Sequence, residues 1–149
     1  VVWPVHCVLG TWGHNLQGEL ADAIAEWEAV TGRTCEKLLK GLHPLTEQYS
    51  AFRAEVPRAD DPRTQLATDA IARLAQRGGP LLVAGEALSH CVAASMDDLL
   101  AGMNPARRSQ VVLLRDAMSP VTGFETQGQA FLDRAREAGV RIQTLADWA

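Results

Sequence analysis

Between residues 16 and 30 the apolar positions fall at Leu16, Leu20, Ile24 and Trp27. This is the three-to-four spacing of an amphipathic helix, and Gly32 supplies its stop. Residues 34–39 then read as a strand. Asp61-Pro62 opens a second helix whose apolar stripe runs through Leu66, Ala70, Ile71 and Leu74 before Gly78-Gly79 ends it. A continuous apolar run predicts a strand over residues 80–84, followed by a helix over 89–103 and a strand over 110–114. A helix over 126–138, closed by Gly139, and a strand over 140–144 complete the pattern. Helix and strand therefore alternate. Strands built from short unbroken runs such as Leu81-Leu82-Val83 and Val111-Val112-Leu113-Leu114 suit a parallel sheet covered on both faces. The predicted fold class is α/β, a three-layer α/β/α arrangement around a mainly parallel sheet. Ligands in such sheets sit beyond the carboxyl ends of the strands, where Lys40, residues 85–91 and Asp116 are predicted to converge.

Composition narrows the class. With 149 residues, 47% of them hydrophobic and 21% charged, the chain suits one domain over residues 1–149 with a real core. A net charge of -4 with no Lys/Arg cluster argues against nucleic acid, and no polybasic patch suggests a membrane surface. No apolar stretch approaches the roughly 20 residues of a membrane-spanning helix, and no leader pattern is visible, so a cytoplasmic place is expected. Cys7, Cys35 and Cys91 are too few and too irregularly spaced for a disulfide framework or zinc knuckle and read as reduced thiols. The chain opens on Val1-Val2-Trp3-Pro4 with neither a methionine nor a first strand-like segment. It is expected to begin in mid-fold, incomplete at its N-terminus.

The chemistry concentrates in Gly85-Glu86-Ala87-Leu88-Ser89-His90-Cys91-Val92. This segment places Cys91 in the first turn of a predicted helix, where unpaired backbone N–H groups favour a thiolate and make a nucleophile. His90 is not expected to form a dyad with it, because neighbours on a helix point about 100° apart. Cys7 and Cys35 read as packing residues, Phe52 as supporting core and Asp98 as structural, while Asp116 is either structural or in reach of the pocket.

Four ordered pieces, Trp3-Pro4-x-His6-Cys7-Val8 with Gly10-Thr11-x-Gly13, Lys40-Gly41, Tyr49-Ser50-Ala51-Phe52, and Gly85-x-Ala87-x-x-x-Cys91-Val92, resemble the cysteine hydrolases of the isochorismatase-like superfamily. Nicotinamidases match best. The resemblance implies a catalytic set of Cys, Lys and Asp, supplied here as Cys91 and Lys40, with the Asp on a first strand that the matched residues do not include. It also implies an oxyanion hole from the backbone N–H groups of Ala87 and Cys91, a cis peptide between Glu86 and Ala87, and a pyridine pocket flanked by Trp3 and Tyr49. A divalent metal, zinc or iron, would be held in the complete protein by an Asp and two upstream His together with His6. One imidazole alone cannot supply that geometry.

The implied reaction is hydrolysis of nicotinamide to nicotinate and ammonia through a thioester, a step of NAD salvage. His90, Leu88 and Ser89 depart from the family's usual neighbours, Thr and Asp being more common at the last two, which keeps open another amidase or N-carbamoyl hydrolase of the superfamily; the Asp outside the matched residues keeps open a catalytically incomplete remnant that binds or assembles. The expected partners are a small amide substrate, with no nucleic acid and no membrane, and either further copies of the chain or a partner chain covering the missing segment.

Overall fold

The computed structural model describes residues 3–148. The chain divides into two compact units, residues 1–37 and residues 38–149.

In the first unit, helix α1 spans Gly18–Thr31. The Gln17 side chain starts it by accepting the Leu20 N–H at 3.0 Å, and Gly32 ends it in the left-handed region at φ 65°. The amphipathic spacing is present as a helix, but α1 buries none of its residues, and Leu20 and Trp27 remain 51% and 40% exposed. The Arg33 guanidinium lies 5.3 Å from the Trp27 ring centroid.

Residues 34–39 do not form the expected strand. A strand exists only where a neighbouring strand takes its N–H and C=O groups, and the sheet among the described residues is built from Leu81–Glu86, Val111–Ser119 and Arg141–Gln143. The Cys35 N–H is instead held at 2.6 Å by Glu28 Oε1. Cys7, expected to pack, is exposed at φ 47°.

The second unit contains a three-stranded parallel sheet in the order β1 (Leu81–Glu86), β2 (Val111–Ser119), β3 (Arg141–Gln143). Val111, Val112 and Leu113 are completely buried at its centre, as their unbroken apolar run predicts. Helices α2 (Thr68–Gln76), α3 (Ala93–Ala101), α4 (Pro105–Arg108), α5 (Glu125–Glu137) and α6 (Leu145–Trp148) accompany the strands. Ile71, Met96, Leu99 and Phe131 join the sheet in one core.

One irregularity shapes the functional end. Val83 faces Leu113 but Gly85 faces Met118, so two steps along β1 correspond to five along β2. The extra length lets Leu114 pair with Gln143 of β3 while Met118 and Ser119 return to β1. Within this detour both carboxylate oxygens of Asp116 accept the Leu145 N–H, at 3.0 and 3.1 Å. Asp116 thus caps α6 and takes the structural role. Arg107, buried between α4 and the sheet, donates to the carbonyls of Gly79 and Leu74 and to the Gln110 side chain, tying α2 to the start of β1.

The long helix expected after Asp61-Pro62 is interrupted. Asp61 accepts the Arg63 N–H at 2.9 Å and the Thr64 hydroxyl donates to the Asp61 carbonyl at 2.7 Å, closing a 3-10 turn over Pro62–Thr64. Gln65 is extended, and α2 starts only at Thr68. The Arg63 guanidinium, hydrogen-bonded to the Asp61 carboxylate, pulls that carboxyl down from 3.8 to about 2. A carboxyl lowered in the folded state contributes stability that is complete above its unfolded value and lost as pH falls towards the folded one. Urea unfolding should therefore show a loss of stability between pH 3.8 and about 2 that Asp61→Asn diminishes. An identical pH profile for the variant would refute the assignment.

Candidate active site

β1 delivers the reactive segment. At Gly85 the backbone turns to φ 131°, a conformation glycine tolerates, and the following Glu86–Ala87 peptide is cis. A single π-helical turn then spans Leu88–Val92, and regular α-helix begins only at Ala93. The helix expected over 89–103 thus starts with a wider turn than the sequence pattern indicates. The Ala87 carbonyl accepts the N–H groups of His90 at 3.0 Å and Val92 at 3.1 Å, the residues on either side of Cys91. Leu88 and Val92 point into the core, and Ser89, His90 and Cys91 between them stay half-buried. Glu86 is exposed.

Lys40 meets this turn across 51 residues of chain. Its Nζ donates to the carbonyls of Gln48 at 3.0 Å and Tyr49 at 2.9 Å and lies 3.3 Å from Cys91 Sγ. An ammonium has three donors, and here two backbone carbonyls and one sulfur receive them. The charge is thereby fixed beside the thiol on a side chain that otherwise has four flexible carbons. The loop is closed again by the Gly41 N–H, which donates to Gln48 Oε1 at 3.0 Å. A second tie runs through Ser95, whose hydroxyl donates to the Cys91 carbonyl at 2.6 Å and accepts the Ala51 N–H at 2.9 Å. Phe52 is buried core, and Asp98, also buried, is ion-paired with Arg53 at 2.9 Å, a structural role.

Beside Cys91 stands an aromatic group that the sequence pattern missed. The His90 ring lies edge to face between Tyr49, at 5.6 Å between centroids, and Phe124, at 4.7 Å. Phe124 arrives on the turn after β2, where its N–H donates to the Val121 carbonyl at 2.9 Å. The one available signal was its place beyond the carboxyl end of a strand.

Trp3 and His6 belong to the first unit. Trp3 is half-buried, whereas His6 is exposed with Nδ1 2.7 Å from the Pro4 carbonyl. Among the described residues no group of three or more His, Cys, Asp or Glu side chains is arranged to hold a metal. The residues present do not fit the metal implied by the resemblance, since His6 is a single donor.

Solved structures identify the architecture. Yeast nicotinamidase bound to the inhibitor nicotinaldehyde superimposes with a TM-score of 0.68 at 20% identity, over 97% of this chain and 59% of that one. The Acinetobacter nicotinamidase/pyrazinamidase gives 0.67 at 19% identity, over 100% and 62%. The chain has the isochorismatase-like fold of the nicotinamidases. The Bacillus subtilis nicotinamidase/pyrazinamidase gives 0.59 at 19% identity over 95% of this chain, and the chain spans only about six-tenths of the length of these nicotinamidases. No protein-family model matches, and neither does any curated protein sequence.

The Lys40 ammonium stands 3.3 Å from the Cys91 sulfur, the atom an alkylating reagent would meet. Replacing the charge, in Lys40→Met, should slow alkylation of Cys91 by iodoacetamide several-fold at neutral pH. Peptide mass spectrometry reads this with Cys7 and Cys35 as internal references. Equal rates in the two proteins would contradict the pairing.

Proposed function

We propose that this chain carries the nucleophile of a cysteine-dependent amidohydrolase that, in the complete protein, converts nicotinamide and water to nicotinate and ammonia. The observation that supports the reading best is the 3.3 Å approach of Lys40 Nζ to Cys91 Sγ, in a chain with the nicotinamidase fold.

In the proposed sequence, Cys91 Sγ attacks the amide carbonyl carbon and the carbonyl π pair moves to oxygen. The backbone N–H groups of Ala87 and Cys91 hold that oxyanion, donors whose position is preorganised and costs no rearrangement during the reaction. Collapse of the intermediate breaks the C–N bond, and nitrogen leaves as ammonia after taking up a proton. Water then attacks the thioester, releasing the acid and restoring the thiol. The carboxylate that relays these protons is, by the family resemblance, an aspartate on a strand outside the matched residues. No step is assigned to a metal.

The aromatic rings of Tyr49, His90 and Phe124 suit a flat substrate with one amide handle. No helix among the described residues is long and apolar enough to cross a membrane, and a cytoplasmic place is part of the proposal.

The complete protein should release ammonia from nicotinamide, and Cys91→Ala should lower kcat/KM by at least about 10³-fold, as loss of a nucleophile does. A coupled ammonia assay measures both. Absence of turnover in the unaltered complete protein, or turnover that survives the substitution, would overturn the reading.

A further inference from the structure

We propose that Ser95 is a positioning residue for Cys91, whose hydroxyl holds the reactive turn in register with Lys40. Ser95 stands one helical turn beyond Cys91, and its Oγ reaches back to the Cys91 carbonyl at 2.6 Å. The same oxygen receives the Ala51 N–H at 2.9 Å. A carbonyl only accepts and an amide N–H only donates, so the single hydroxyl proton goes to Cys91 and a lone pair to Ala51.

Both ends of the contact between Lys40 and Cys91 are thereby referred to one stretch of chain. Residues 47–55 are fixed by bonds that do not involve the thiol. The Glu55 N–H donates to the Glu47 carbonyl at 2.8 Å, and the Ala54 N–H to the Thr64 carbonyl at 2.9 Å. Between them the carbonyl of buried Phe52 accepts the Ala67 N–H at 2.7 Å. From this stretch the carbonyls of Gln48 and Tyr49 hold the Lys40 ammonium. Two residues beyond Tyr49, the Ala51 N–H holds the Cys91 carbonyl by way of Ser95. A ring of bonds therefore runs from Lys40 Nζ through Tyr49, Ala51 and Ser95 to Cys91, and closes across the 3.3 Å to Sγ.

Removing the Ser95 hydroxyl opens this ring at the side farthest from the charge. The loss is local, because farther along α3 the buried Asp98 carboxylate pairs with Arg53 at 2.9 Å and keeps the helix attached to the same stretch. What is freed is the Cys91 turn, and a charge acts on a neighbour according to their separation. Ser95 thus supplies no chemistry of its own and acts on the thiol through Lys40. That the thiol it serves is a nucleophile for amides rests on the amidohydrolase reading, whereas the bridge does not.

The test is iodoacetamide alkylation of Cys91 in the substrate-free protein, read by peptide mass spectrometry, with Lys40→Met introduced into the unaltered chain, Ser95→Ala and Ser95→Thr. Lys40→Met should slow alkylation several-fold in the unaltered chain. In Ser95→Ala its effect should shrink to less than about twofold, as for two groups that no longer act together. Ser95→Thr, which keeps a hydroxyl, should restore the several-fold effect. A residue that only supported the fold would change both rates of a pair alike and leave their ratio as it was. An undiminished ratio in Ser95→Ala, a ratio near one in Ser95→Thr, or no effect of Lys40→Met in the unaltered chain would overturn the proposal. If Ser95→Ala does not fold, exchange of the Ala51 amide hydrogen in the unaltered protein decides: protection supports the bridge, and exchange at the open-chain rate overturns it. Because no substrate is present, failure to hydrolyse nicotinamide leaves this result standing, and an undiminished ratio leaves the hydrolysis reading standing.

Discussion

The site depends on how one ammonium is held. Lys40 Nζ spends two of its donors on the carbonyls of Gln48 and Tyr49, and these fix where the remaining one points, at Cys91 Sγ. Without those carbonyls the same lysine would be a flexible surface charge, screened by water and of little value to a thiol. With them, the loop around residues 40–49 and the turn after β1 become one construction, reinforced where Ser95 bridges the Cys91 carbonyl and the Ala51 N–H. The place of the ammonium beside the thiol is thus set by backbone geometry as much as by the charged side chain.

The sheet supplies the frame. β1 ends in the glycine and cis peptide that turn the chain into the π-helical segment, and the long detour in β2 brings its last residues back beside β1. That return carries Val121 and Phe124 to Ser89 and His90. A β2 that ended at Leu114 would leave the aromatic group without one of its walls. The irregularity in the ladder and the aromatic group at the site are therefore one feature seen at two scales.

The parts of this arrangement legible in the sequence are those written as local patterns. Leu81-Leu82-Val83 and Val111-Val112-Leu113-Leu114 announce parallel strands, and both are present, but only the β2 run is buried on both faces, since β1 alternates half-buried and exposed residues. The continuation of β2 through Arg115 and Asp116 was not legible, since polar residues in a detour carry no strand signal, although they have defined bonds. Residues 34–39 look like a strand, but a strand is a property of a pair, and the sheet among the described residues is made of β1, β2 and β3 alone. The apolar stripe of α1 was read as helical, and the helix is present, although the stripe stays unburied. At the site, Cys91 stood out from its own surroundings, whereas Lys40 was placed near the strand ends by position and given a catalytic role only through the ordered family motifs. Phe124 was not found at all, because its meeting with His90 is a tertiary contact that neither segment advertises.

The contact between Lys40 and Cys91 can be measured on the folded protein without any substrate, through a double-mutant cycle on unfolding free energy with Lys40→Met, Cys91→Ala and the combination. Residues in direct contact through one hydrogen-bond network couple by about 0.5–3 kcal/mol, whereas independent sites add to within about 0.3–0.5 kcal/mol. The arrangement described here predicts a favourable coupling of about 1 kcal/mol, the worth of one such bond. Additivity of the two substitutions would contradict it.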